Sequence, residues 1–220
     1  MHHKEKFSQF TVNREELNSL NEHFKKVYEG LIPNNLFNSR DFPRVSQFKI
    51  KGIKSAFIRS FSKNLLRSGK IRYHNSNSKL PKYAQKVFDI YRKNNFMGIP
   101  GHDPILKNIL IKDKDAIAIE VPIWSEKENK EITGHIDLIQ IEDDSVKVID
   151  YKPEGNFLLS LPQVAMYGVL VKSKLNLNKV KCISFNKQGA WEYDPTILKM
   201  DIKDYLISHQ IDERPWELFI

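Results

Sequence analysis

Three side chains stand out by type and spacing: Asp137, Asp150 and Lys152. In Val146-Lys147-Val148-Ile149-Asp150-Tyr151-Lys152, strand alternation puts Val146, Val148, Asp150 and Lys152 on one face. The strand therefore ends with a carboxylate and an amine side by side. Asp137 lies in Gly134-His135-Ile136-Asp137, on the preceding strand pattern, and a tight hairpin joins the two. Two carboxylates from adjacent strands then come within reach of one cation. Oxygen donors suit hard divalent ions, magnesium or manganese, and two like-charged carboxylates side by side are unfavourable without such an ion. With it in place, a phosphate oxygen can be polarised and the pKa of a water lowered. Lys152 would stand beside that water to orient it, help deprotonate it or stabilise the pentacovalent transition state. Glu120, with Ala116 and Ala118 expected on its face, is a possible third acidic ligand, and Pro122 after it suggests a sheet edge or strand end.

The elements that must position these groups are legible from periodicity. Helical spacing covers residues 14–30, with Asn13 as a candidate cap, 52–68 and 82–95. In the second of these, Ile53, Phe57, Phe61 and Leu65 line one side, and Arg59, Lys63, Arg67 and Lys70 another. Residues 98–103 read as a loop. Strands are expected at 115–124, 132–141 and 146–152, joined by charged turns at 125–130 and 142–145. A helix from a Ser160 cap to about 172 follows, then strands at 179–185 and 190–193 around a turn at 186–189, and a last helix at 196–209. The order β-β-β-α-β implies a parallel pairing between the third and fourth strands. The expected fold is α/β: a central mixed sheet flanked by helices. Residues 1–110 form a basic helical region packed on a core of 111–220.

The set Glu120, Gly134-x-x-Asp137, Asp150-x-Lys152 and Gln163-x-x-x-Tyr167 resembles the PD-(D/E)XK nuclease superfamily, and within it the RecB-type branch. The resemblance covers roughly residues 111–195. Asp-x-Lys alone is uninformative; the apolar run before it, the Gly-x-x-Asp and the Gln-x-x-x-Tyr helix make the combination specific. It implies a restriction-endonuclease-like core and hydrolysis of DNA phosphodiester bonds in repair, replication or recombination. Asp137 and Asp150 would bind the metal, with Glu120 and the Tyr151 carbonyl as further ligands and Lys152 acting on the attacking water. Gln163 and Tyr167 would hold the DNA backbone. Relatives of this kind also carry a metal-binding histidine upstream; His74, which follows the basic helix, is preferred over His102. The four-cysteine iron–sulfur cluster of some relatives is excluded, because Cys182 is the only cysteine.

Structural explanations stand beside these. Glu120 could be a surface carboxylate. His135, two residues before Asp137, either lines the site or sits in the core. Ser160-x-x-Gln163 fits a capping box, which would use the same Gln163 amide, and Tyr167 could be a core tyrosine. Trp124, Trp191 and Trp216 fit packing better than base stacking.

Charge gives the partner. The 220 residues carry a net charge of +8, and residues 44–86 hold twelve Lys or Arg and no Asp or Glu. A one-sided stretch of this kind points to nucleic acid, with Arg59, Lys63, Arg67 and Lys70 as phosphate contacts. Neither a signal-peptide core nor a membrane-length apolar run is present, so a cytoplasmic, reducing location and no membrane partner are expected. Two rivals remain: a nucleic-acid-binding protein that keeps the fold without catalysis, and an adaptor whose basic segment docks an acidic protein. Exonuclease or endonuclease action, polarity, strandedness, the choice of DNA or RNA, and oligomeric state have no signature in the sequence.

Overall fold

The computed structural model describes residues 2–3, 17–127, 130–142, 145–153 and 156–220. The chain is α/β, with a mixed sheet between two helical layers. In chain order the elements are β1 (His2–His3), α1 (Asn18–Tyr28), α2 (Asn34–Asn38), α3 (Ser55–Arg67), β2 (Ile71–Asn75), α4 (Lys79–Lys93), α5 (His102–Lys112), β3 (Ala116–Lys127), β4 (Lys130–Glu142), β5 (Ser145–Tyr151), α6 (Phe157–Lys174), β6 (Val180–Phe185), β7 (Gly189–Tyr193) and α7 (Asp201–Ser208). The sheet order is β1-β3-β4-β5-β6-β7-β2. Six strands do the structural work, and β1 adds two residues at the edge. Asn13 and residues 14–16 of the first expected helix lie outside the described residues, as do 128–129 and 143–144 of the two expected turns.

β3, β4 and β5 form two antiparallel hairpins. α6 then crosses over, and β6 pairs parallel to β5, as the period change in the sequence requires. α6 is apolar almost all round, from Phe157 to Val171, because it is the helix pressed deepest against the sheet. One core lies on that face: Val146 and Val148 of β5, Leu161, Val164 and Ala165 of α6, Leu20 and Phe24 of α1, and Phe61 and Leu65 of α3. The opposite face carries a second core, in which Leu138, Ile149, Tyr151 and Phe185 meet Ala84 of α4 and Ile105, Leu106 and Ile109 of α5.

Several elements depart from expectation. β2 was not foreseen: its five residues, Ile71-Arg72-Tyr73-His74-Asn75, are mostly polar and bury little, but hydrogen bonding to β7 makes them the edge strand. The amino-terminal half therefore supplies part of the sheet. α5 replaces part of the expected loop: Gly101 precedes it, and Ile105, Leu106, Ile109 and Leu110 recur at helical spacing. In α3 the buried residues are Ile58, Phe61 and Leu65, while Phe57 is exposed and packs on His209. Phe61 stacks on Tyr205 of α7 at 3.6 Å. β3 runs to Lys127, so the hairpin is longer than the sequence suggested. The last helix splits into a 3-10 turn, Pro195–Leu198, and α7. α6 starts three residues before Ser160, at Phe157, with the Asn156 side chain accepting from the Leu158 N–H. Ser160 instead donates to the Phe157 carbonyl. Gln163 is thus in the second turn, free of any capping duty. Among the described residues, no helix is long and apolar enough to cross a membrane.

Candidate active site

The site forms where β4 and β5 carry their carboxylates toward the start of α6. Asp150 shares the α6 face with Val146 and Val148, and only 1% of it is exposed. Its Oδ2 lies 2.6 Å from the Lys152 ammonium, out of line for a hydrogen bond. Gln163 ties the pair together: its Nε2 donates to Asp150 Oδ1 at 3.2 Å, and its Oε1 accepts from Lys152 Nζ at 3.0 Å. Burial, followed by the neighbouring Asp137, pushes the Asp150 carboxyl up to about 7 against the pull of Lys152.

Asp137 is held from the other face. Its Oδ2 accepts the Tyr151 N–H at 2.8 Å and faces His102 Nδ1 at 3.2 Å. The His102 ring lies edge-on to the Tyr151 ring at 5.3 Å. The hydrogen bond to Asp137 raises the His102 pKa, opposed by desolvation. His102 is the first residue of α5, so reading that helix would have placed it. His74 is corrected: it sits on β2, three strands from β5, with Nε2 3.8 Å from Glu192. The basic ridge before it pointed to sequence proximity, whereas strand order decides which residues meet.

Glu120 stands opposite Asp137, since Ile119 pairs with Leu138 and Val121 with Ile136. Alternation fails here. Ile119 and Leu138 pack in the α4–α5 core, whereas Val121 and Ile136 pack in the α6 core. Glu120 absorbs the reversal with φ of +52°, a conformation unfavourable for a residue with a side chain and concentrated at functional sites. A register shift between Ala116 and Ala118 separates those two as well, so they do not share one face as expected. Burial and then Asp137 raise the Glu120 pKa. Among the described residues, β1 pairs with Ala118 and Ile119 and does not reach Pro122.

Tyr167 is buried, and burial raises its pKa. Its ring lies against Gly134, where a methyl group would collide with it. The Gly-x-x-Asp spacing therefore lets the α6 tyrosine pack directly on β4. A groove of about 960 Å³ opens in front, lined by Glu120, Asp137, Gln163 and Tyr167 and continuing past His135 to Phe37, Asn38 and Arg44. His135 is exposed at its rim, with its ring 5.2 Å from Phe37. Arg44 and the α2 residues have no motif in the sequence; they reach the groove because Arg44 bridges to Thr133 of β4.

Arg59, Lys63, Arg67 and Lys70 are exposed, but none lines this groove, and Lys70 pairs with Asp201 at 3.6 Å.

Oxygen donors from Asp137, Asp150 and Glu120, with one buried Asp150 oxygen lacking an aligned partner, fit a hard divalent cation. Among the described residues, no three His, Cys, Asp or Glu side chains already stand grouped at ligand spacing; Lys152 supplies the positive charge beside Asp150. The chain matches no protein-family model and no curated protein sequence.

Proposed function

We propose that the protein is a magnesium- or manganese-dependent deoxyribonuclease of the PD-(D/E)XK type. The observation that carries this reading is the Asp150–Lys152 pair, locked by Gln163, on the strand next to Asp137, with Asp137 and Gln163 lining an open groove. Asp137 and Asp150 would hold the cation, with Glu120 and the Tyr151 carbonyl as further donors. When bound, it supplies polarisation of the scissile phosphate and a lowered pKa for the attacking water.

The chain's own residues do the rest. Lys152, released from Asp150, places an ammonium beside the reacting phosphorus, where it orients the water and offsets the charge that builds up on the phosphoryl oxygens. Gln163 fixes the height of Lys152 through one carbonyl and that of Asp150 through one amide. His102 and the Tyr151 N–H keep Asp137 turned toward the groove. Arg44 and the His135–Phe37 pair line the approach, with one fixed positive charge for a phosphate.

The test is incubation of the purified chain with end-labelled single- and double-stranded DNA in magnesium, manganese or EDTA. Cleavage in either metal that stops with EDTA is the expected result. DNA that stays intact in both metals overturns the reading.

A further inference from the structure

Cross-strand pairing leads away from Asp150 on the side opposite the groove, through the buried Ser184 to aromatic side chains on the outer two strands. Asp150 pairs with Ser184, Ser184 with Trp191, and Trp191 with Tyr73. Cross-strand partners share a face, so these four residues run straight across the sheet to its outer strand. Phe157, at the start of α6, stacks on Trp191 with centroids 4.6 Å apart and planes 12° apart, and Tyr73 follows at 5.5 Å.

Tyr73 is fixed in place yet left 49% exposed. Its hydroxyl donates to the Gln188 carbonyl at 3.2 Å. Its ring lies over Gly189, where any Cβ would strike it. Tyr73 also lies inside the residue 44–86 segment, with its twelve cations and no acid, and α3, which bears the exposed Arg59 and Lys63, packs against β2. A rigid, half-open aromatic surface in a basic surround suits a strand that carries both flat bases and phosphates.

We infer that Tyr73 and Trp191 form a stacking platform for the unpaired bases of a DNA strand passing through the site. The inference rests on the nuclease reading and extends it to the path beyond the cleaved bond. Three strand spacings separate Asp150 from Tyr73, about 14 Å, the length of roughly four stacked nucleotides. The platform also gives the basic segment a role that the catalytic groove does not.

Tryptophan emission tests this without catalysis. Trp124 and Trp216 are buried and Trp191 is partly open, so a base stacking at the platform quenches Trp191. In EDTA, an oligothymidylate of about twelve nucleotides should quench the emission saturably. Trp191→Phe should abolish the quench. Tyr73→Leu should weaken affinity about tenfold and Tyr73→Phe should preserve it, because the ring and not the hydroxyl carries the contact. No quench in the wild type, a quench that persists in Trp191→Phe, or quenching by an acidic peptide in place of the oligonucleotide overturns the platform. Cleavage without quenching removes the platform alone. Quenching without cleavage in any metal removes the nuclease reading and leaves the platform standing.

Discussion

Gln163 commits both ends of one amide inside the site, accepting from Lys152 and donating to Asp150. Gln163→Leu should therefore lower cleavage about a hundredfold while leaving the fold intact, because it frees the ammonium without emptying the core; single-turnover rates beside circular dichroism check this. Gly134 makes a steric demand of a different kind. Gly134→Ala drives a methyl into the Tyr167 ring and should destabilise the chain by about 2 kcal/mol, read as a lower urea midpoint. Adding Tyr167→Leu should return part of the loss. His23 offers a pH test away from the site. It is buried, its Nε2 lies 2.9 Å from the Pro122 carbonyl, and burial holds its pKa down to about 4. Unfolded, it titrates near 6.5. Between those values the unfolded chain binds a proton that the folded chain refuses. Stability is thus full above about 6.5 and falls with pH by up to roughly 1.4 kcal/mol per unit, about 3 kcal/mol in all. His23→Gln should flatten that part of the urea-midpoint profile; an unchanged slope contradicts the account.

At the scale of elements, the sequence showed what periodicity can show. The β-β-β-α-β order, the parallel β5–β6 pair and the Asp150–Lys152 face all follow from alternation and one period change. What it hid depends on partners distant in sequence. β2 is polar and becomes a strand only because β7 offers an edge. The reversal at Glu120 is invisible to a period-two reading, since it comes from a positive φ within β3. Ser160 resembled a cap, but Asn156 took the role and released Gln163. His74 could be set aside only by strand order. α4 shows how such long-range ties hold an element. Lys79 in its first turn reaches Asp113 at 2.7 Å and Asp115 at 2.5 Å, and Gln140 donates to the fully buried Asp113 at 2.8 Å. Lys79→Met removes the ammonium facing that buried carboxylate. The loss should be about 2 kcal/mol, less than for a fully buried pair because Lys79 is partly exposed to solvent. Faster hydrogen exchange in α4 than in α6 would report it.

For the whole molecule, the three-layer arrangement puts acid and base apart. The acidic centre sits at the carboxyl end of β5 and the adjoining middle of β4, with the groove toward α2 on one side and the basic α3 surface beyond β7 on the other. Arg59 and Lys63 do not touch the centre, so they should contribute affinity without chemistry. Arg59→Gln with Lys63→Gln should make the salt dependence of single-stranded DNA binding shallower by about 1.4 in log–log slope, at about 0.7 per lost phosphate contact. The cleavage rate at saturating DNA should stay unchanged. The central claim is narrower: two strand-borne carboxylates hold a cation, and Lys152 acts beside it. Manganese affinity and DNA cleavage, measured on the same preparations of wild type, Asp150→Ala and Lys152→Ala, test it most directly. The account predicts that Asp150→Ala loses both. Lys152→Ala should bind manganese at least as tightly as the wild type, since the competing ammonium is gone, yet cut at least a hundredfold more slowly. Cleavage that survives both substitutions, or manganese binding that ignores Asp150, would contradict it.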